Sequence, residues 1–132
     1  MKLVIKRNKW VNGSNEDDPR GSAELLNSEG NMCCLGFFAK ACGFKSKEIK
    51  NMCTPGSLYN DRTYSDQAER GFLKKIEKTP FKELLTKDGR NSRLANSLID
   101  INDSSTMKNE TREKKITEKL TKIGVKVTFL DK

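Results

Sequence analysis

The sequence predicts a single α+β domain that spans residues 1–132. Near both ends, two stretches are typical of β-strands: the short apolar run in "KLVIKR" (2–7) and the alternation of apolar and polar residues in "VKVTFL" (125–130). Between these stretches, apolar residues recur at the spacing of amphipathic helices. We expect the two terminal strands to pair in a small antiparallel sheet. Several helices should pack on this sheet around a buried helix that contains cysteines.

The first strand and the cysteine-containing helix form the front half of the predicted fold. Leu3 and Ile5 share one face of the strand. The segment "EGNMCCLGFFAKACGF" (29–44) is apolar on nearly every side, which is typical of a buried helix, and Gly43 lies where a helix C-terminal cap is expected. Because a two-stranded ribbon is weak alone, this helix is expected to lie against it.

The rest of the chain is predicted to form further helices. The stretch "TPGSLYNDRTY" (54–64) is interpreted as a break, because Pro55 and Gly56 interrupt regular structure. Ser65 is expected to cap one helix and Thr79-Pro80 to start another. The apolar stripes of the successive helices are Phe72, Leu73 and Ile76; Phe81, Leu84 and Leu85; Leu94, Leu98 and Ile101; and Ile116, Leu120 and Ile123.

Composition restricts the chemistry that the chain can perform. Histidine is absent, which removes Ser-His-Asp and Cys-His catalysis and every metal site that needs an imidazole. The net charge of +8, from 26 basic and 18 acidic residues, favours anionic partners such as nucleic acid or an acidic protein face. Basic and acidic residues are interleaved in "KNETREKKITEKLTKIG" (108–124), so most of this charge is interpreted as solvated surface.

The location of the protein is predicted from its apolar runs. None approaches the ~20 residues that a membrane helix needs, and the apolar stretch in "MKLVIKRNKW" is too short for a signal peptide. We therefore expect a cytoplasmic protein with reduced thiols and without a membrane partner.

The cysteines allow three interpretations. Cys33, Cys34, Cys42 and Cys53 do not match the paired spacing of zinc sites, so no metal or other cofactor is predicted. Cys33 or Cys34, near a helix N-terminus, has a position suited to a nucleophile, but no histidine is present to act as its base. Free cysteine commonly packs as a small hydrophobe, and this interpretation is preferred. No catalytic residue is predicted.

Two ligand-binding motifs also fail. "DINDSS" (100–105) alternates like a calcium loop, but Ser105 stands where glycine is required and Thr111 where glutamate is required. The spacing of the glycines fits neither of the nucleotide-binding motifs G-x-G-x-x-G and G-x4-G-K-[ST]. Asn102 and Asp103 are instead expected to end a helix and organise the following turn.

Aromatic residues in polar surroundings are the candidates for contact with a partner. Stacking on bases and neutralisation of phosphates could be built from them and from nearby cations, whereas the alternative is that Trp10 closes the sheet edge and the tyrosines anchor a loop. The predicted partner-binding residues are Arg7, Lys9, Trp10, Arg62 and Tyr64.

Several strings of this sequence resemble small bacteriophage and prophage proteins that carry an "MCCLGF" segment. The matching residues are Trp10, Met32–Phe37, "LIDINDSS" (98–105) and "TKIGVKVTFLD" (121–131). The resemblance covers most of the chain in order but not residues 45–90. It implies a phage origin, a site of action in the cytoplasm of a bacterial host and no established activity. Small phage accessory proteins of this size often bind and inhibit a host machine, such as a CRISPR effector.

The expected function is therefore that of a non-enzymatic phage-type accessory protein, which binds and modulates a host protein or ribonucleoprotein complex. The first alternative is a small basic protein that binds nucleic acid. The second is a cysteine enzyme that works without histidine through Cys33 or Cys34.

Overall fold

The computed structural model of the protein describes residues 1–13, 19–60 and 66–131, with the backbone alone for residues 66–70. In these residues, a two-stranded sheet is accompanied by six α-helices. The α+β class is confirmed. The strands are β1 (Lys2–Lys6) and β2 (Lys126–Leu130), and the helices are α1 (Cys34–Ala41), α2 (Ser46–Ile49), α3 (Pro55–Asn60), α4 (Asp66–Glu77), α5 (Arg93–Asp103) and α6 (Asn109–Thr121).

The two strands run parallel, so the predicted antiparallel pairing is wrong. Leu3 lies opposite Val127 and Ile5 opposite Phe129. An alternating pattern fixes which side chains face the core, but it is the same for either strand direction. Direction depends on the connection, and here all of the helices lie between the strands, which leaves ample chain for a parallel crossover.

Part of the cysteine-containing segment forms the predicted buried helix, α1, with Cys33 and Cys42 at its two cap positions. Cys34, Leu35 and Phe38 are almost completely buried, and α1 packs against β1. Gly36 lies so close to the backbone of the preceding segment that a Cβ atom there would overlap the carbonyl oxygen of Leu25. The glycine of "CCLGF" is therefore required for close packing.

Two segments differ from the sequence-based prediction. The expected break at 54–64 begins instead with helix α3, because the Thr54 hydroxyl accepts a hydrogen bond from the Ser57 amide and Pro55 occupies the first helical position. Ser65 lies outside the described residues. After Thr79, the chain forms a short 3₁₀ helix (Pro80–Leu84), and another 3₁₀ helix (Arg7–Lys9) follows β1.

A buried amide joins three separate parts of the chain. The Oδ1 atom of Asn102 accepts hydrogen bonds from Trp10 Nε1 at 2.8 Å and from the Cys34 amide at 3.0 Å. Its Nδ2 atom donates to the Val11 carbonyl at 3.0 Å and to Asp103 at 2.9 Å. The full hydrogen-bonding capacity of the amide is thus used. Asn102 supplies the missing cap of α1, since Cys33 at the N-cap position makes no side-chain capping bond.

Arg112 on α6 holds the end of α5 in a similar way. Its Nη1 atom donates to the carbonyls of Ile101 and Asn102, both at 2.7 Å, and its Nη2 atom donates to those of Ser104 and Met107. These include carbonyls at the helix end that lack intrahelical partners. Burial lowers the pKa of Arg112 from its ordinary value, and the contacts to carbonyl oxygens offset the cost of placing the guanidinium inside.

We expect Asn102→Ala to destabilise the protein by about 3 kcal/mol or more, because the buried groups of Trp10, Val11 and Cys34 would each lose a hydrogen-bonding partner. Urea unfolding followed by Trp10 fluorescence measures this change. Asn96→Ala removes an exposed asparagine from the same helix and should change stability by less than about 0.5 kcal/mol. Equal effects of the two substitutions would contradict the role of the buried amide.

Candidate functional site

The five predicted partner-binding residues do not form one exposed cluster. Arg62 and Tyr64 lie outside the described residues. Lys9 is exposed on the 3₁₀ turn after β1. Trp10 is only 1% exposed and donates to Asn102, so it matches the alternative interpretation of an aromatic that closes the sheet edge. Its ring lies 5.2 Å from that of Phe129 on β2.

Arg7 is occupied by contacts within the molecule. Its Nε and Nη2 atoms donate hydrogen bonds to the Glu113 carboxylate at 2.9 and 2.7 Å, and its Nη1 atom donates one to the Asp131 carboxylate at 2.8 Å. The guanidinium also lies over the Phe129 ring. The hydrogen bond to Glu113 is the main reason why the pKa of Arg7 is raised above its ordinary value. Arg7 therefore ties β1 to α6 and to the end of β2.

The cysteine environment is that of a packed interior. Burial raises the pKa of Cys33 to about 12 and that of Cys34 well above its ordinary value, which disfavours the nucleophilic thiolate. Cys33, Cys34, Cys53 and Asp103 line a cavity of only about 10 Å³. A space of that size holds at most one water molecule, not a substrate.

A second feature, which we call the cationic groove, runs along the surface between α5 and α6. It consists of two adjoining depressions of about 420 and about 380 Å³, which share Ser97, Lys119 and Lys122 as lining residues. Arg93 completes the cationic lining at one end and Lys115 at the other. The remaining lining residues are Glu83, Ser92, Leu94, Ile101, Glu118 and Ile123.

Helical spacing places these cations on facing surfaces. Lys115, Lys119 and Lys122 recur at i, i+4 and i+7 along α6 and its C-terminal turn, while Arg93 and Ser97 lie one turn apart on α5. The core contacts of Leu98 on α5 and of Ile116 and Leu120 on α6 hold the two helices together. The groove is thus built on rigid elements.

The cations of the groove are not neutralised by ion pairs within the described part of the chain. None of Arg93, Lys115, Lys119 and Lys122 forms an ion pair or a side-chain hydrogen bond within the described part of the chain. Arg7 and Lys75, by contrast, both pair with carboxylates. Unpaired cations along a depression attract anionic groups and speed encounter with them.

The sequence pattern alone does not predict this site. The interleaved charges of the segment 108–124 are typical of ordinary solvated surface. The i, i+4, i+7 spacing of Lys115, Lys119 and Lys122 was the available signal. The facing positions on α5 depend on helix packing, which local pattern does not give.

Comparison with known proteins assigns neither a family nor a function to this chain. The chain matches no protein-family model, no curated protein and no solved structure. The resemblance to phage proteins therefore stays a prediction. Within residues 1–13, 19–60 and 66–131, no helix has the length and apolar character to cross a membrane. The same residues contain no group of three or more histidine, cysteine or acidic side chains arranged to hold a metal ion.

We expect a thiol reagent to label Cys53 rapidly and the other cysteines only as fast as the protein unfolds, because Cys53 alone among the four is exposed. Labelling of the native protein followed by mass spectrometry measures the number and rate of modified sites. A C53S variant should show no rapid phase. Rapid modification of Cys33 or Cys34 in that variant would contradict their role as packing residues.

We also expect stability to fall with rising pH through the buried thiols. The pKa of Cys33 is higher in the folded protein than the ordinary thiol value of 9.0, so the folded state keeps a proton that the unfolded state loses. This contribution is fully present below pH 9 and is lost as pH rises towards 12. In a C33A variant, the slope of unfolding free energy against pH over this window should be shallower by up to about 1.4 kcal/mol per pH unit. If urea titrations gave the same slope for C33A as for the parent protein, the raised pKa of Cys33 would be contradicted.

Proposed function

We propose that this protein is a non-catalytic binding protein that modulates a host macromolecule by docking its cationic groove on an acidic protein surface. The observation that supports this most directly is the row of cations at Arg93, Lys115, Lys119 and Lys122, which have no internal partners in the described residues. Exposed like charges held near one another repel, and an anionic partner relieves that repulsion.

The character of the groove favours a protein partner. Leu94 and Ile123 add apolar surface to one depression, which suits an inserted side chain. Glu83 and Glu118 place negative charge on the walls, which a continuous phosphate backbone would meet with repulsion and a protein of mixed charge would tolerate. Among the residues whose side chains are described, every aromatic side chain is buried or half-buried, so none stands free for bases to stack on.

Nucleic acid is the second candidate. It is favoured by the combination of lysines at one-turn spacing with the hydroxyl groups of Ser92 and Ser97, since both groups contact phosphate oxygens. This alternative requires binding that weakens steeply with salt, with a slope set by the number of phosphates neutralised.

The wider biological role follows from the sequence resemblance. A phage-type accessory protein that inhibits a host machine, such as a defence complex, acts by occupying a surface and needs no turnover. The raised pKa values of the buried thiols and the very small cavity beside them are in keeping with such a role. Lys9 stays a candidate contact because it is exposed. Arg62 and Tyr64, which lie outside the described residues, stay candidates on the sequence alone.

We expect charge reversal in the groove, K119E/K122E, to weaken binding of the partner by at least about tenfold, because each substitution replaces an attraction with a repulsion. The partner is first identified by affinity capture from bacterial lysate with and without nuclease, followed by mass spectrometry. Its affinity for the parent protein and for each variant is then measured with purified components.

The matched control is K74E/K78E, which reverses two exposed lysines one turn apart, in the last turn of α4 and directly after it, neither of which lines the groove. Because both double variants place acidic residues near a helix C-terminus, they carry similar costs to helix stability. Equal losses in the two variants would count against the groove. Capture that disappears with nuclease, together with steep salt dependence, would establish the nucleic-acid alternative instead.

A further inference from the structure

The sheet presents a second face that no helix of the described chain covers. The inward side chains of β1, Leu3 and Ile5, are buried at 1% and 0% exposure. The opposite face is open, with Val4 exposed at 45% and Leu130 at 42%, although both are large apolar side chains. This open sheet face consists of Lys2, Val4, Lys6, Lys126, Thr128 and Leu130.

A parallel pair of strands makes this exposure unusual. Antiparallel sheets commonly leave one face in water, whereas parallel sheets occur almost only with both faces covered, usually by helices. Here α1 packs against β1 and α6 against β2, and the residues that they help to bury are the inward ones. One layer of the arrangement typical of parallel sheets is therefore lacking in the described chain.

We propose that the open sheet face docks an amphipathic, acidic α-helix of a partner protein, which supplies the second layer in trans. This inference goes beyond the proposed function, because the face shares no residue with the cationic groove. The apolar stripe of the helix covers Val4 and Leu130. Its carboxylates meet the surrounding lysines.

The dimensions of the face suit one helix. Each strand has five residues, which corresponds to a length of about 16 Å. About 11 residues of α-helix span the same distance, and the 10–12 Å diameter of a helix with its side chains covers two strands spaced about 4.8 Å apart. A single helix of about three turns thus fills the face.

The lysines around the open sheet face favour an acidic partner helix. Lys2 and Lys126 lie directly opposite each other at one end of the face, and Lys6 lies at the other end. None of these lysines has an ion-pair partner among the residues described. A second copy of the chain would bring two lysine-lined faces together at a cost in repulsion, whereas an acidic helix would neutralise them.

Two synthetic peptides test this inference. Both are 14-residue, end-capped amphipathic helices with the same leucine stripe, and they differ only in having glutamate or lysine beside it. Titration of isotopically labelled protein, followed by amide chemical shifts, reports both affinity and location. We expect the glutamate peptide to bind at least about tenfold tighter than the lysine peptide and to shift Val4, Thr128 and Leu130.

Two variants locate the binding. V4T/L130T keeps side chains that suit a strand but removes the apolar contacts, so we expect the glutamate peptide to bind at least about fivefold more weakly. K74E/K78E, whose lysines line neither surface, should bind this peptide as the parent does, which separates loss of the open sheet face from a general loss of positive charge. Circular dichroism confirms that each variant is folded.

Three outcomes would overturn the inference. The first is equal binding of the two peptides, or amide shifts away from β1 and β2. The second is concentration-dependent dimerisation in sedimentation experiments that V4T/L130T abolishes, which would assign the face to a second copy. The third is binding to phosphatidylglycerol vesicles without binding to the glutamate peptide, which would assign it to a lipid surface.

Discussion

The position of the Asn102 side chain is the constraint on which the rest of the structure depends. Its amide caps α1 through the Cys34 amide, fixes the indole of Trp10 and holds the chain that leaves β1 through the Val11 carbonyl. These partners are 68 to 92 residues away along the chain. In a buried setting, an amide with all of its hydrogen bonds made permits one arrangement of the surrounding elements, because each alternative leaves a polar group without a partner.

Both candidate surfaces follow from that arrangement. Asn102 lies in the last turn of α5, and Arg112 of α6 binds the carbonyls at the same helix end, so the crossing of the two helices is fixed at one point. The cationic groove lies on the surface between these two helices. The chain then turns at Gly124 into β2, whose C-terminal end is held to β1 and α6 through Arg7. The groove and the open sheet face thus belong to the same rigid unit.

The sequence predicts which face of a strand or helix is buried more reliably than it predicts which elements contact one another. The strand period puts Leu3 and Ile5 on one face, which is the buried one, and composition predicts the buried helix around Cys34, because both properties are local. The parallel direction of the strands is not local, since it depends on the path of the whole chain between them. The sequence does not predict the role of Asn102 for the same reason. A short polar residue near a helix end commonly caps its own helix, and nothing nearby shows that it caps another.

The separation between interior and surface supports the proposed binding role. Its polar interior groups are used in structural hydrogen bonds, and among the described residues no buried side-chain nitrogen or oxygen lacks a partner. Catalytic sites usually hold groups whose pKa values are tuned for proton transfer, whereas the thiol pKa of Cys33 is moved to about 12, away from any useful range near neutrality. Among the described residues, the groups that lack a partner within the molecule lie on its surface, as lysines without ion pairs and as exposed apolar side chains. In the proposed function, contact with another macromolecule would neutralise the lysines and cover the apolar side chains.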